Sequence, residues 1–133
     1  MRKKCTTLAV LAFFLLLFYY NAFADSPAAT ARYITGEELQ QMMKDGKKLA
    51  IIDIRDRSYC SKGHIPGAIC VPTDVAYNRR PIVEEYQPKD RVVIVGYGGT
   101  TGQEIIDMFL SHGFENVYGL KGGIREWKGP IAK

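Results

Sequence analysis

The chain has 133 residues, 47% of them hydrophobic and 24% charged, with a formal net charge of +4. That length suits one domain with a modest core. Arg2, Lys3 and Lys4 supply three of the 18 basic residues and no acidic residue precedes Asp25, so the chain from Asp25 onward carries 15 basic against 14 acidic groups, net +1, which argues against a nucleic-acid surface built on clustered Lys and Arg.

The first residues read as a targeting segment. Arg2, Lys3 and Lys4 form a positive start, Leu8 to Tyr20 is an unbroken apolar run, and Ala22-Phe23-Ala24 puts small residues where a signal peptidase reads. Residues 1–24 are therefore expected to be a secretory signal cleaved before Asp25. Export would leave the protein periplasmic or extracellular, with no stable membrane anchor after cleavage. An uncleaved anchor is the alternative, but the apolar run is short for a span of ~20 residues. Residues 25–32, rich in Ser, Pro, Ala and Thr, read as a mobile lead-in to a domain over 33–133.

Tyr33-Ile34 reads as a short first strand. Thr35-Gly36-Glu37-Glu38 is a capping-box pattern that opens a helix with Leu39, Met42 and Met43 on one face, stopping near Gly46. Leu49 to Ile54 is an apolar strand, followed by a polar loop or short helix through Lys62. Ala68 to Val71 is a third strand, closed by Pro72. Thr73 to Asp90 is the least defined stretch, with turns at Asn78-Arg79-Arg80-Pro81 and Gln87-Pro88-Lys89-Asp90 and a short helix between them. Arg91-Val92-Val93-Ile94-Val95 is the most strand-like run. A helix is expected from about Thr101 to Ser111, with Gly113 as its stop, then a fifth strand at Asn116-Val117-Tyr118 and a last short helix holding Trp127. Apolar strands alternating with helices imply an α/β fold, a parallel sheet covered on both faces.

Three blocks stand out in order: Asp53-Ile54-Arg55 with Gly63-His64-Ile65-Pro66-Gly67-Ala68, then the loop after the fourth strand, then Gly119-Leu120-Lys121-Gly122-Gly123-Ile124-Arg125-Glu126-Trp127. Together they resemble a rhodanese-like domain over about Tyr33 to Lys128. The resemblance implies a single domain with a five-stranded, mostly parallel sheet and helices on both faces. It also implies a loop that opens with a cysteine carrying sulfur as a persulfide, followed by an arginine and a serine. Here that loop reads Gly96, Tyr97, Gly98, Gly99, Thr100, Thr101 and Gly102. Gly96 takes the cysteine's place, so no catalytic residue is assigned and classical sulfur transfer is not expected.

A glycine-rich turn leading into a helix points N–H groups and a partial positive charge at one spot, which suits an anion. The loop is thus a candidate site for a small anion or for a segment of a protein partner, with Tyr97 placed to lie over the hollow. The glycines could equally serve only a tight turn. On the first reading, Gly96→Cys would place a thiol in the same cradle of N–H groups.

Cys60 and Cys70 are the cysteines left after the signal. They could form one disulfide in an exported protein, or be two small buried hydrophobes. The alternative function is a sulfurtransferase or thiol-redox enzyme using Cys70 or Cys60. Asp53, Arg55 and Asp56 are expected to pair as ions, and Gly63, His64, Pro66 and Gly67 to shape a turn. His112 is expected at a helix end on the surface. Two separated histidines and two cysteines ten residues apart do not form a zinc pattern, and no cofactor is implied.

Overall fold

Val92, Val93, Ile94 and Val95 are all apolar in succession, so this strand can be stable only with both of its faces covered. The computed structural model describes residues 32–78, 81–99 and 101–133 and gives the run that environment. The expected signal, and the lead-in as far as residue 31, lie outside the described residues.

Strands β1 (Arg32–Ile34), β2 (Leu49–Asp53), β3 (Ala68–Cys70), β4 (Arg91–Val95) and β5 (Asn116–Leu120) form one sheet in the order β1-β5-β4-β2-β3. Every pairing is parallel. β4 is central, with Ile52 opposite Ile94 on one side and Val93 opposite Tyr118 on the other. Arg32, read from sequence as the end of the lead-in, is already in β1 and pairs with Tyr118.

The helices are α1 (Gly36–Lys44), α2 (Arg57–Cys60), α3 (Thr73–Asn78), α4 (Pro81–Glu84), α5 (Gln103–Ser111) and α6 (Gly123–Glu126). One face of the sheet presents Ala50, Ile52, Val92, Ile94 and Val117 to Ala76 of α3, Ile82 and Val83 of α4, and Ile105, Ile106 and Phe109 of α5. The other presents Ile51, Val93, Val95 and Leu120 to Leu39 of α1, Ile65 and Trp127. Burying each such aliphatic side chain is worth about 1.5–3 kcal/mol, which is why the β4 run defines the centre of the domain.

The capping box forms as the sequence predicts. Glu38 N–H donates to Thr35 Oγ1 at 3.2 Å, and Thr35 N–H donates to Glu38 Oε2 at 2.7 Å. α5 begins at Gln103 rather than Thr101, and Gly113 closes it with a φ of 83°. Trp127 lies just beyond α6, is buried, and donates its Nε1–H to the Pro130 carbonyl at 2.9 Å. The stretch Thr73–Asn78 was not legible as a helix. Its position is set by tertiary bonds: Thr73 N–H and Oγ1–H both donate to the Ile54 carbonyl, at 3.1 and 2.9 Å. The expected Asn78–Pro81 turn includes Arg79 and Arg80, which lie outside the described residues.

Candidate functional site

The loop from Gly96 to Gly102 joins β4 to α5. Its first half is held from behind by the turn before α6. Ile124 N–H donates to the Gly96 carbonyl at 3.0 Å and Arg125 N–H to the Tyr97 carbonyl at 3.4 Å. Gly123 makes this approach possible, since a Cβ there would fall 2.5 Å from the Gly96 oxygen and 2.6 Å from the Gly98 nitrogen.

Its second half folds over its first. Thr101 donates both its N–H, at 3.3 Å, and its hydroxyl, at 2.6 Å, to the Gly98 carbonyl. That places the Thr101 side chain directly against Gly96. A Cβ added at Gly96 would lie 2.8 Å from Thr101 Cβ, 2.9 Å from its Cγ2 and 3.1 Å from its carbonyl oxygen. The space where a side chain at 96 would begin is therefore taken by Thr101. Thr100 lies outside the described residues.

A hollow of about 320 Å³ opens beside the loop, lined by Ile54, Thr73, Thr101, Gly102, Gln103, Glu104 and Ile105. The N-terminus of α5 faces solvent there, but Glu104 in its first turn already answers the helix dipole. Among the described residues, the lining includes one carboxylate and no cation. Tyr97 does not line it. Its ring makes an edge contact with Tyr59 at 5.3 Å between centroids, and its hydroxyl donates to Asp56 Oδ2 at 3.3 Å. Desolvation, with the nearby Asp56 charge second, raises the Tyr97 pKa.

Asp53 and Arg55 form a buried ion pair at the end of β2. Arg55 Nη2 donates to Asp53 Oδ2 at 2.7 Å and Nε donates to both carboxylate oxygens, at 2.9 and 3.1 Å. Arg55 Nη2 also donates to the Gly63 carbonyl at 2.7 Å, so the pair carries the Gly63–Gly67 turn. Asp56, grouped with them from sequence, turns instead to Tyr97. The same turn is clasped by the chain end: His64 N–H donates to the Ala132 carbonyl at 3.0 Å and Ala132 N–H to the His64 carbonyl at 2.8 Å. His112 is exposed at the end of α5, where its Nδ1 donates to the Met108 carbonyl at 2.8 Å.

Cys60 ends α2 and Cys70 ends β3, and their sulfurs are bonded, with Cα atoms 6.1 Å apart. Cys60 is buried and Cys70 half-buried. His64 joins them. One ligand atom from each of Cys60, His64 and Cys70 lies within 4.8 Å of the others. The ten-residue spacing of the cysteines did not suggest this cluster. The signal that could have found it is the Cys60-x-x-x-His64 spacing, which a single turn can bring together once β3 returns beside β2.

Against this geometry, a rhodanese-like domain matches residues 35–130. The chain belongs to the rhodanese-like family. A rhodanese-like domain protein from Staphylococcus aureus superposes with a TM-score of 0.66 over 76% of this chain and 96% of that one, at 22% identity. Thiosulfate sulfurtransferase from Pseudomonas aeruginosa gives 0.63 at 26% identity, over 77% of this chain and 20% of that one. In sequence, the tRNA uridine(34) hydroxylase of Hamiltonella defensa is 32% identical over 105 residues, covering 77% of this chain and 29% of the relative. The chain thus spans less than a third of the length of such relatives. The five-stranded parallel sheet with helices on both faces is the architecture the sequence led us to expect of this rhodanese-like domain.

Proposed function

We propose that this is an exported rhodanese-like domain that moves no sulfur through its β4–α5 loop and uses the hollow beside that loop to bind a segment of a partner. The observation that carries the proposal is at residue 96. The family resemblance assigns that position to the sulfur-carrying cysteine. Glycine has no nucleophile, and Thr101 occupies the space where one would project. A loop that held an anionic thiolate would need donors free to receive it. Here Thr101 N–H is spent on Gly98, and Glu104 brings negative charge to the hollow. This lining favours a neutral or basic segment over a small anion. The match to the tRNA uridine(34) hydroxylase of Hamiltonella defensa covers 29% of that protein.

The alternative, an enzyme built on Cys70 or Cys60, requires a free thiolate, and the bond between the two sulfurs removes both. The test is to incubate the purified protein with thiosulfate and weigh it intact. No added sulfur is expected. A stable sulfur adduct that maps to Cys60 or Cys70 would reject the binding reading in favour of the enzyme. Export is tested by weighing protein extracted from the cell envelope, which should begin at Asp25.

A further inference from the structure

The most chemically dense cluster outside the loop is Cys60, His64 and Cys70, with one ligand atom from each inside 4.8 Å. We infer that it is a redox-gated site for a borderline or soft cation, Zn²⁺ or Cu⁺, closed while the cysteines are joined and opened when they are reduced. The inference does not depend on what the β4–α5 loop does.

The donor chemistry comes first. Two thiolates and an imidazole are the donor set preferred by Zn²⁺ and Cu⁺ over hard cations. With bonds of about 2.3 Å to sulfur and about 2.0 Å to nitrogen, a tetrahedral site needs its donors about 3.6–3.8 Å apart. With the sulfurs bonded, one ligand atom from each of the three residues already lies within 4.8 Å of the others, and the two Cα atoms are 6.1 Å apart, so reduction must part the sulfurs by only part of that span to reach this spacing. Three protein donors leave a fourth position for water or another ligand.

A hydrogen bond fixes the tautomer of the histidine. Its Nδ1 lies 3.1 Å from the Cys60 carbonyl oxygen. A carbonyl can only accept, so this bond puts the ring proton on Nδ1 and leaves the lone pair on Nε2. Fixing the other ring nitrogen in this way is what orients metal-binding histidines generally. The backbone of His64 is itself clasped to Ala132, and Arg55 holds the neighbouring Gly63 carbonyl. The ligands therefore sit on anchored elements, not on a free loop.

Opening the site takes two electrons, supplied by a dithiol reductant. A reductant thiolate attacks Sγ of Cys70, the less buried of the two residues, and a mixed disulfide forms as the Cys60 thiolate leaves. The second reductant thiol then closes on the first, forming the reductant's own disulfide and releasing the Cys70 thiolate. One protein disulfide becomes two thiols and one dithiol becomes a disulfide. Binding a divalent cation then displaces two protons, one from each thiol.

The experiment uses the protein from Asp25 onward, oxidised or reduced with a phosphine that is then removed, and titrated with Co²⁺ followed by Zn²⁺. Reduced protein is expected to bind one Co²⁺ per chain with thiolate-to-cobalt charge-transfer absorption, displaced by Zn²⁺, while oxidised protein shows none. His64→Asn keeps a donor near the Cys60 carbonyl but lacks the outer ring nitrogen, and should weaken binding by about ten-fold or more. Near-UV circular dichroism follows the fold throughout. A reduced protein that keeps its fold and binds no Co²⁺ would overturn the inference. So would His64→Asn binding as tightly as the unaltered chain, or a fold lost on reduction that the metal does not restore.

Discussion

Thr101 closes over Gly96, with its Cβ 2.8 Å from where a side-chain carbon at residue 96 would begin. The two residues define each other: the glycine allows the loop to fold back, and the threonine holds it there through two bonds to Gly98. Gly96→Cys should therefore not drop a thiol into a waiting cradle. It should overpack the loop and destabilise the domain by about 1–3 kcal/mol. Adding Thr101→Gly removes the Cβ and Cγ2 that collide, so the double change should be more stable than the single one, against simple additivity. Chemical denaturation of the three variants measures this. Equal stability of Gly96→Cys and the unaltered chain would show that the loop is looser than drawn.

The buried pair Asp53–Arg55 should be costly to break from one side. Arg55→Met leaves a fully buried carboxylate without its partner and the Gly63 carbonyl without a donor. A loss of about 3–5 kcal/mol is expected, with much of it recovered by adding Asp53→Leu. Urea melts of the single and double variants give the comparison. A single change that costs less than ~1 kcal/mol would mean that the pair is not desolvated as the structure has it.

Much of this domain was legible because its signals are local. The Val92–Val95 run is apolar on every residue, and Thr35 with Glu38 forms a box within one turn. The glycine blocks of the family occur in order. What escaped sequence reading depends on distant contacts. Only Ala76 of the Thr73–Asn78 helix is buried among its described side chains, and its start is fixed by Ile54. The meeting of His64 with Cys60 and Cys70 arises from the return of β3 along β2. The closure of Thr101 over Gly96 is a matter of ångströms that residue types do not encode.

The opposite end of the sheet should govern the acid response. Arg91 at the start of β4 donates to both oxygens of Asp45, at 2.6 and 2.8 Å, and Lys48 pairs with Asp90 at 2.6 Å. The hydrogen bond from Arg91 holds the Asp45 pKa down to about 2, and bonding to the Gln87 N–H, then Lys48, lowers that of Asp90. A carboxyl whose pKa is lower folded than unfolded stabilises the fold above its unfolded value. That stabilisation fades as pH falls through the ordinary carboxylate range toward 2. Stability should therefore drop from pH 5 downward, and Arg91→Gln should flatten the drop. Because these groups are near the surface, added salt should also shrink it. Thermal melts at stepped pH check the sign; an unchanged slope in Arg91→Gln would remove this pair from the account.

Reducing the bond between Cys60 and Cys70, in the absence of metal, should lower stability by about 2–3 kcal/mol, the chain-entropy value for so short a loop. Cys70→Ser measured with the reduced protein should show little further loss. A denaturation midpoint unmoved by reductant would indicate that the loop is held by its other contacts, chiefly Arg55 on Gly63 and His64 on Ala132.

The most direct measurement is sulfur transfer from thiosulfate to cyanide by the purified, unaltered protein, with and without reductant. With glycine at 96 and Thr101 filling its space, transfer should stay at background in both conditions. Turnover well above background, abolished by Cys70→Ser, would contradict the account and place the chemistry on the cysteines instead.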